Sequence, residues 1–262
     1  MGNDNILMDT AVLAGELMLR NGAETYRVED TMNHILGKSQ AEHIDATAFT
    51  TMLTVSVQNA GQPPITVARR VRRRSMNLGR ILRVNEISRN LGNDDISVSE
   101  AYEELQQVRS QKEKIYKDYI YKLSVIGIVV GFVLFFGGNW LDVFAGLVVG
   151  VMLVLVNMAG EKLRFNNVFQ DISGSIGIAF SAIVLKQIFL PQMNLETVII
   201  SAIMPLVPGI AITNAVRDTL MGDYLSGAAR ILEAFMQAAA IAVGIGVGIV
   251  MASLIIGEKV LL

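Results

Sequence analysis

The second half of this chain contains five apolar runs, each close to the roughly 20 residues that a helix needs to cross a bilayer. They are Tyr121 to Phe136, Val143 to Met158, about Ile172 to Leu190, Leu195 to Asn214, and Ala228 to Ile256. A backbone in lipid has no water to bond, so such runs are expected to be helices. Tyr116, Tyr119, Tyr121 and Trp140 bracket the first run, as aromatic interface anchors do. A buried soluble bundle can be equally apolar, but five successive runs with polar joints argue against one. Charge is distributed to match. Residues 1–120 hold 15 of the 22 Lys and Arg and 16 of the 24 Asp and Glu. The expected architecture is therefore a membrane protein of two domains. An N-terminal α+β domain covers 1–120, and an all-α bundle of five transmembrane helices covers 121–262.

Lysine and arginine in the joints predict the orientation. Arg109, Lys112, Lys114, Lys117 and Lys122 precede the first span, and Gly137 to Asp142 carry none. Lys162 and Arg164 follow the second span, Lys186 lies near the third joint, and Arg217 and Arg230 lie between the last two. An N-inside, C-outside chain fits these, with Lys259 as a small deviation. Met1 to Asp9 lack a basic stretch, so no signal peptide is expected and the first domain is placed in the cytoplasm. A net charge of −2 gives no field for nucleic acid. With no cysteine, disulfides and thiolate metal sites are excluded. His34 and His43, nine apart, lack a metal-ligand spacing. No metal, cofactor or catalytic residue is expected.

In the first domain, Ile6 to Leu19 reads as an amphipathic helix closed at Asn21-Gly22, and Thr25 as the cap of a helix from Tyr26 to Leu36. Ile44 to Gln58 and Ile65 to Val71 read as a hairpin around Asn59–Pro64. Leu78 to Leu91 is a third helix, and Ser97-Val-Ser-Glu100 is a capping box that opens a fourth. Arg69, Arg70, Arg72, Arg73 and Arg74 read as a solvated strand end or a membrane-surface patch. In the second domain, Gly127/Gly131, Gly146/Gly150, Ser173/Gly177/Ser181 and Ala240/Gly244/Gly248/Ala252 form small-residue faces for close helix packing. A bundle this rich in them can take further helices from a partner.

The fourth run is broken by Met204-Pro205-Leu206-Val207-Pro208-Gly209-Ile210. Each proline removes a donor, and the freed carbonyls must meet protein, a cavity or a ligand. Pro208 and Gly209 open a helix end whose free N–H groups suit a carboxylate. Asn214, Arg217 and Asp218 follow on one face. Other polar groups fall at the same expected depth. Asn157 and Glu161 are one turn apart, Asp171 and Ser175 share a face, and Arg230, Glu233 and Gln237 share another. Asn157, Ser175, Pro208, Gly209 and Asn214 are thus substrate-binding candidates, and Asp218, Asp171, Glu233 and Glu161 are proton-coupling candidates. The plain alternatives are a tolerated kink and side chains that snorkel to the interface, above all Glu161, Arg164, Arg217 and Arg230.

Two segments carry a resemblance. Met204 through Asp218, with Gly222-Asp223 and Ser226-Gly227, resembles the bacterial threonine/serine exporter family. So does Gly22-Ala-Glu-Thr-Tyr-Arg-Val-Glu-Asp-Thr-Met32. The resemblance implies a proton-driven exporter of small polar metabolites in the bacterial inner membrane, threonine and serine first and a dicarboxylate such as succinate second. Single-chain members carry about five further spans. The resemblance therefore implies the larger subunit of a split exporter, working with a small multi-span membrane subunit, and a homo-oligomer of the pair is compatible with it. Gly22, Glu24, Arg27 and Glu29 match the N-terminal motif without an assigned role. Two other readings stand beside it. One is a membrane-anchored hydrolase using Glu24, Glu29 and Asp30, for which no nucleophile–base pair is present. The other is a regulatory or scaffold subunit of a transporter.

Overall fold

The computed structural model describes residues 2–72, 75–110 and 117–256. Arg73, Arg74, Lys112, Lys114, Tyr116 and Lys259, used above for charge and anchoring, lie outside the described residues. The chain forms two compact units: Met1–Glu113 with Ile210–Ile231, and Lys114–Gly209 with Leu232–Leu262. The first unit therefore includes a stretch from beyond the proline break as well as the N-terminal region.

The first unit begins with α1 (Gly2–Arg20), α2 (Thr25–Leu36), β1 (His43–Phe49), β2 (Met52–Gln58), β3 (Ile65–Arg70), α3 (Leu78–Gly92) and α4 (Val98–Ser110). Its core is built on α1. Leu7, Met8, Thr10, Ala11, Val12, Leu13, Ala14, Leu17, Met18 and Leu19 are all buried, so this helix is enclosed on most sides and not amphipathic as expected. Gly15 lets α2 approach it, since a Cβ there would stand 2.5 Å from Met32 Sδ. Gly22 has φ +88°. The Gly22 N–H donates to Leu19 O (3.3 Å) and the Ala23 N–H to Met18 O (3.1 Å). This paired reverse-bond pattern is the glycine-terminated helix end that Asn21-Gly22 predicts.

The sheet is antiparallel in the order β1-β2-β3. It has one strand more than the hairpin reading. The run from Ile44 to Gln58 turns back at Thr50-Thr51, with Phe49 opposite Met52. No glycine, proline or asparagine marks that turn, so the alternation of Thr, Ala and Val hides it. β3 is an edge strand, and exposed Arg69 and Arg70 on it discourage pairing with another chain. At Ser97 and Glu100 the capping box is complete: the Ser97 N–H donates to Glu100 Oε2 (2.8 Å), and the Glu100 N–H donates to Ser97 Oγ (3.3 Å).

The same unit takes Ile210–Leu220 of α9 (Gly209–Leu220) and the opening turns of α10 (Tyr224–Ile256). Gly222, with φ +91°, turns the chain between them. The Asp223 Oδ1 then accepts the Ser226 N–H at 3.2 Å and caps α10. Gly227 allows close packing of the two helices, because a Cβ there would overlap Thr219 Oγ1.

The second unit holds α5 (Asp118–Phe135), α6 (Trp140–Lys162), α7 (Asn167–Val184) with a π-helical turn at Leu185–Phe189, α8 (Leu195–Ile203) with a 3₁₀ turn at Met204–Leu206, and the rest of α10. Four helices among the described residues are long and apolar enough to cross a membrane: α5, α6, α7 with its π turn, and α10. Leu195–Leu206 and Gly209–Leu220 make a fifth if that broken pair counts as one span. Val125, Val129, Val149, Leu153, Ile178 and Val198 lie in the shared apolar core.

Buried Asp142 joins two helix starts. Its Oδ2 accepts the Asn139 N–H (2.9 Å) at the head of α6, and its Oδ1 accepts the Asn194 N–H (2.6 Å) at the head of α8. Gly146 packs on α5, where a Cβ would stand 2.8 Å from Val133 Cγ2. Gly244 and Gly248 pack on α7, with Cβ positions 2.5 and 2.8 Å from the Ile172 and Ile176 carbonyl oxygens. Gly127 and Gly131 behave differently, since a Cβ at either would meet nothing within 4 Å.

Candidate functional site

The two sequence motifs meet within the first unit. Asn214 and Asp218 lie one turn apart on α9, and both point at the loop and helix start formed by residues 22–25. The Asn214 Nδ2 donates to Gly22 O at 3.0 Å. Asp218 Oδ1 accepts both the Thr25 N–H (3.2 Å) and the Thr25 hydroxyl (2.9 Å). Its carboxylate therefore occupies the positive end of α2, where free N–H groups and the helix dipole favour an anion. Thr25 is the first residue of α2 and not its cap. The preceding Glu24 makes no side-chain capping bond.

Arg230, from the second turn of α10, completes the cluster. Its Nε lies 2.8 Å from Asp218 Oδ2, too bent for a hydrogen bond but a close ion pair, and its Nη2 donates to Ala23 O at 2.8 Å. Both charges are withdrawn from water, Asp218 fully and Arg230 to 5% exposure. A buried pair of this kind stands only because each partner neutralises the other. Nearer the surface, Glu24 Oε1 accepts from Arg217 Nη1 (2.8 Å), and Glu24 Oε2 accepts from Arg27 Nη1 (3.4 Å).

Glu29 is also engaged, its Oε1 accepting the Ala48 N–H at 2.8 Å and so tying α2 to β1. Burial is the largest cause that raises the Glu29 pKa. The Ala48 bond opposes it, and the charges of Asp223, Asp45 and Asp218 add to it. Glu24 and Glu29 thus serve as acceptors in fixed bonds. No group of three or more His, Asp or Glu suited to a metal ion occurs among the described residues.

The remaining candidates fall in the second unit. Asp171 and Ser175 are buried on α7, whereas Glu161 on α6 and Glu233 on α10 are exposed. Asn157 Oδ1 and Ser175 Oγ are buried without a hydrogen-bond partner among the described residues. Asn157 faces α7 at Gly174, where a Cβ would stand 3.5 Å from its Oδ1. Ser175 sits beside Gly244 of α10.

Carbonyls at the proline break find partners within the protein. Met204 O accepts the Val207 N–H (3.3 Å), and Leu206 O accepts Gln237 Nε2 (3.0 Å). Pro208 is half-buried and Gly209 exposed, with the Gly209 N–H donating to Val207 O at 2.8 Å. Sequence reasoning brought out Asn214, Asp218 and residues 22–29 but not their pairing. It left Thr25 as a cap and Arg230 as a side chain that could simply snorkel. The available signal was a motif dense in acceptors at a helix start, with its counter-charges on a second motif.

A family profile described as "Putative threonine/serine exporter" matches residues 9–252. A "Probable threonine/serine exporter" of Mycobacterium tuberculosis (strain ATCC 25618 / H37Rv) is 25% identical over 245 residues, covering 91% of this chain and 45% of the relative. The chain thus spans about half the length of the curated relative that it matches. No solved structure matches.

Proposed function

The chain belongs to the threonine/serine exporter family, and from that premise we propose that it is the larger part of a secondary exporter of small polar metabolites. Threonine and serine are the first substrates to test, because the matched relative is named for them. Succinate-like dicarboxylates are second. The membrane placement rests on helices long and apolar enough to span and on the family. The family supports placement in a bacterial plasma membrane, and the lysine and arginine pattern supports a cytoplasmic N-terminus and an outside C-terminus.

The observation that carries the reading is a pair of buried, unpartnered polar atoms, Asn157 Oδ1 and Ser175 Oγ, on helices with the composition of membrane spans. Such atoms cost free energy unless a ligand or water bonds them, and in a bundle they mark a pathway. Asp171, one turn before Ser175 on α7, is the proton-coupling candidate of that pathway. Glu161 and Glu233 are its entrance candidates. Asp218 and Asn214 hold the first unit together and act on transport through it.

The partner is a small multi-span subunit. Gly127 and Gly131 support this by presenting a close-packing face on α5 with nothing opposite it among the described residues. The test is export from cells that make this chain, the small subunit or both. Both together should export, and Ser175→Ala with Asn157→Leu should abolish export without loss of membrane insertion. Full-rate export by the small subunit alone overturns the reading.

A further inference from the structure

A second polar site lies in the first unit, away from the Asp218 cluster. Between α2 and α3 is a cavity of about 270 Å³ with no apolar residue in its lining. Its volume sits just below the roughly 300–1,000 Å³ of drug-sized pockets, which suits a small metabolite. Its walls carry two guanidinium groups, Arg27 and Arg89, one carboxylate, Asp30, and the neutral groups of Thr31, Asn85 and Ser88. Thr31 Oγ1 lies 3.3 Å from Asn85 Oδ1 and bridges the two helices. Thr31 and Ser88 are buried, so the floor is set by packing. His34 closes one side, its ring resting on Gly92, where a Cβ would overlap it.

We propose that this cavity binds a free α-amino acid as a regulatory ligand. Two cations beside one anion match a zwitterion, with the carboxylate on Arg27 and Arg89 and the ammonium on Asp30. A dianion would meet Asp30 unfavourably, and an apolar ligand would meet no apolar side chain in the lining. Arg27 gives the site a consequence. It bonds Glu24 weakly, at 3.4 Å, and Glu24 also holds Arg217 of α9 at 2.8 Å. A ligand carboxylate that draws Arg27 away leaves Glu24 to Arg217 alone and tightens α9 onto the N-terminal motif. The site senses cytosolic amino acid and does not carry it, so it stands apart from the transport pathway proposed above.

Calorimetric titration of the full-length chain with L-threonine, L-serine, succinate and inorganic phosphate tests this. The amino acids should bind, and Arg89→Gln should weaken that binding about tenfold or more. Ser175→Ala can remove only binding in the transport pathway, so the component of the isotherm that Arg89→Gln removes should persist in it. Hydrogen exchange in α9 should slow on addition of amino acid in the parent chain and stay unchanged in Arg89→Gln. Binding lost in Ser175→Ala but kept in Arg89→Gln overturns the regulatory site while leaving the transport reading intact. Absence of amino-acid binding overturns it, as does tighter binding of succinate or phosphate through Arg89.

Discussion

The Asp218 cluster and the α6–α7 polar pair place costly groups in opposite ways. In the first, two buried charges form an ion pair, and they and Asn214 bond a helix N-terminus, two loop carbonyls and a hydroxyl, although Asp218 Oδ2 and Arg230 Nε make no hydrogen bond. In the second, Asn157 Oδ1 and Ser175 Oγ are buried with no hydrogen-bond partner among the described residues. A closed network fixes one geometry, and an open one keeps donors and acceptors ready for something that comes and goes. In the function proposed above, Asn214 and Asp218, the motif residues that look most like a transport site in the sequence, act as a brace. In the same proposal, Asn157 on α6 and Ser175 on α7 line the ligand path.

The strongest way to break this contrast is Asp218→Asn. It leaves the Arg230 charge buried without a counter-charge, a change that costs about 3–5 kcal/mol. Hydrogen exchange of α2 should report that loss. Asp218→Leu combined with Arg230→Met removes both charges and should be more stable than Asp218→Asn, short of the parent because Thr25 and the Ala23 carbonyl lose their partners. If export returns with it, the brace role holds. Export that stays lost in a stable double variant would make Asp218 a proton carrier after all.

The difference in legibility between these regions has a physical origin. Signals confined to one turn could be read directly. Gly22 had to end α1 because a positive φ favours glycine, and Ser97 with Glu100 closed a box across three residues. Spans could be read from length and apolarity alone. The turn at Thr50-Thr51 could not, since its residues continue the strand pattern on both sides. The Thr25–Asp218 bond joins positions 193 apart, and no local rule couples them. Arg230 was ambiguous for the same reason, because a long cation at a span's edge fits equally well in water or on a buried acid.

Thr25→Ala tests the brace from its other side. It keeps the backbone N–H bond to Asp218 and deletes the hydroxyl bond to a charged group, a loss of about 1.5–3 kcal/mol. α2 exchange should rise by less than in Asp218→Asn. Combining the two should cost less than their sum, because both act on one carboxylate. Strict additivity would mean that Thr25 and Asp218 are not coupled as the geometry requires.

The open pair should respond with the opposite sign. Ser175→Ala removes a buried hydroxyl that has no partner, so it should leave thermal stability unchanged or raise it by about 1 kcal/mol. Export should fall at the same time. A variant that is both destabilised and export-competent would show that the hydroxyl is a structural group with a partner in the working protein.

Glu29 gives the smallest effect, and it reads the charge balance around the brace directly. Its carboxyl has a pKa raised above the ordinary value of 4.5, chiefly by burial, with Asp223, Asp45 and Asp218 adding to the shift. A carboxyl raised in the folded state binds more protons there than in the unfolded chain. Its contribution to stability is thus fully present below 4.5 and lost as pH rises through the folded value. Glu29→Gln keeps an oxygen to accept the Ala48 N–H but cannot ionise. Its thermal midpoint should therefore fall less than the parent's as pH rises from 4.5 toward neutrality. Asp218→Asn removes one of the negative neighbours, so it should reduce this pH dependence without abolishing it. Parallel curves for the parent and Glu29→Gln would mean that Glu29 ionises in the fold as freely as in water, and that the acids facing it are screened from one another.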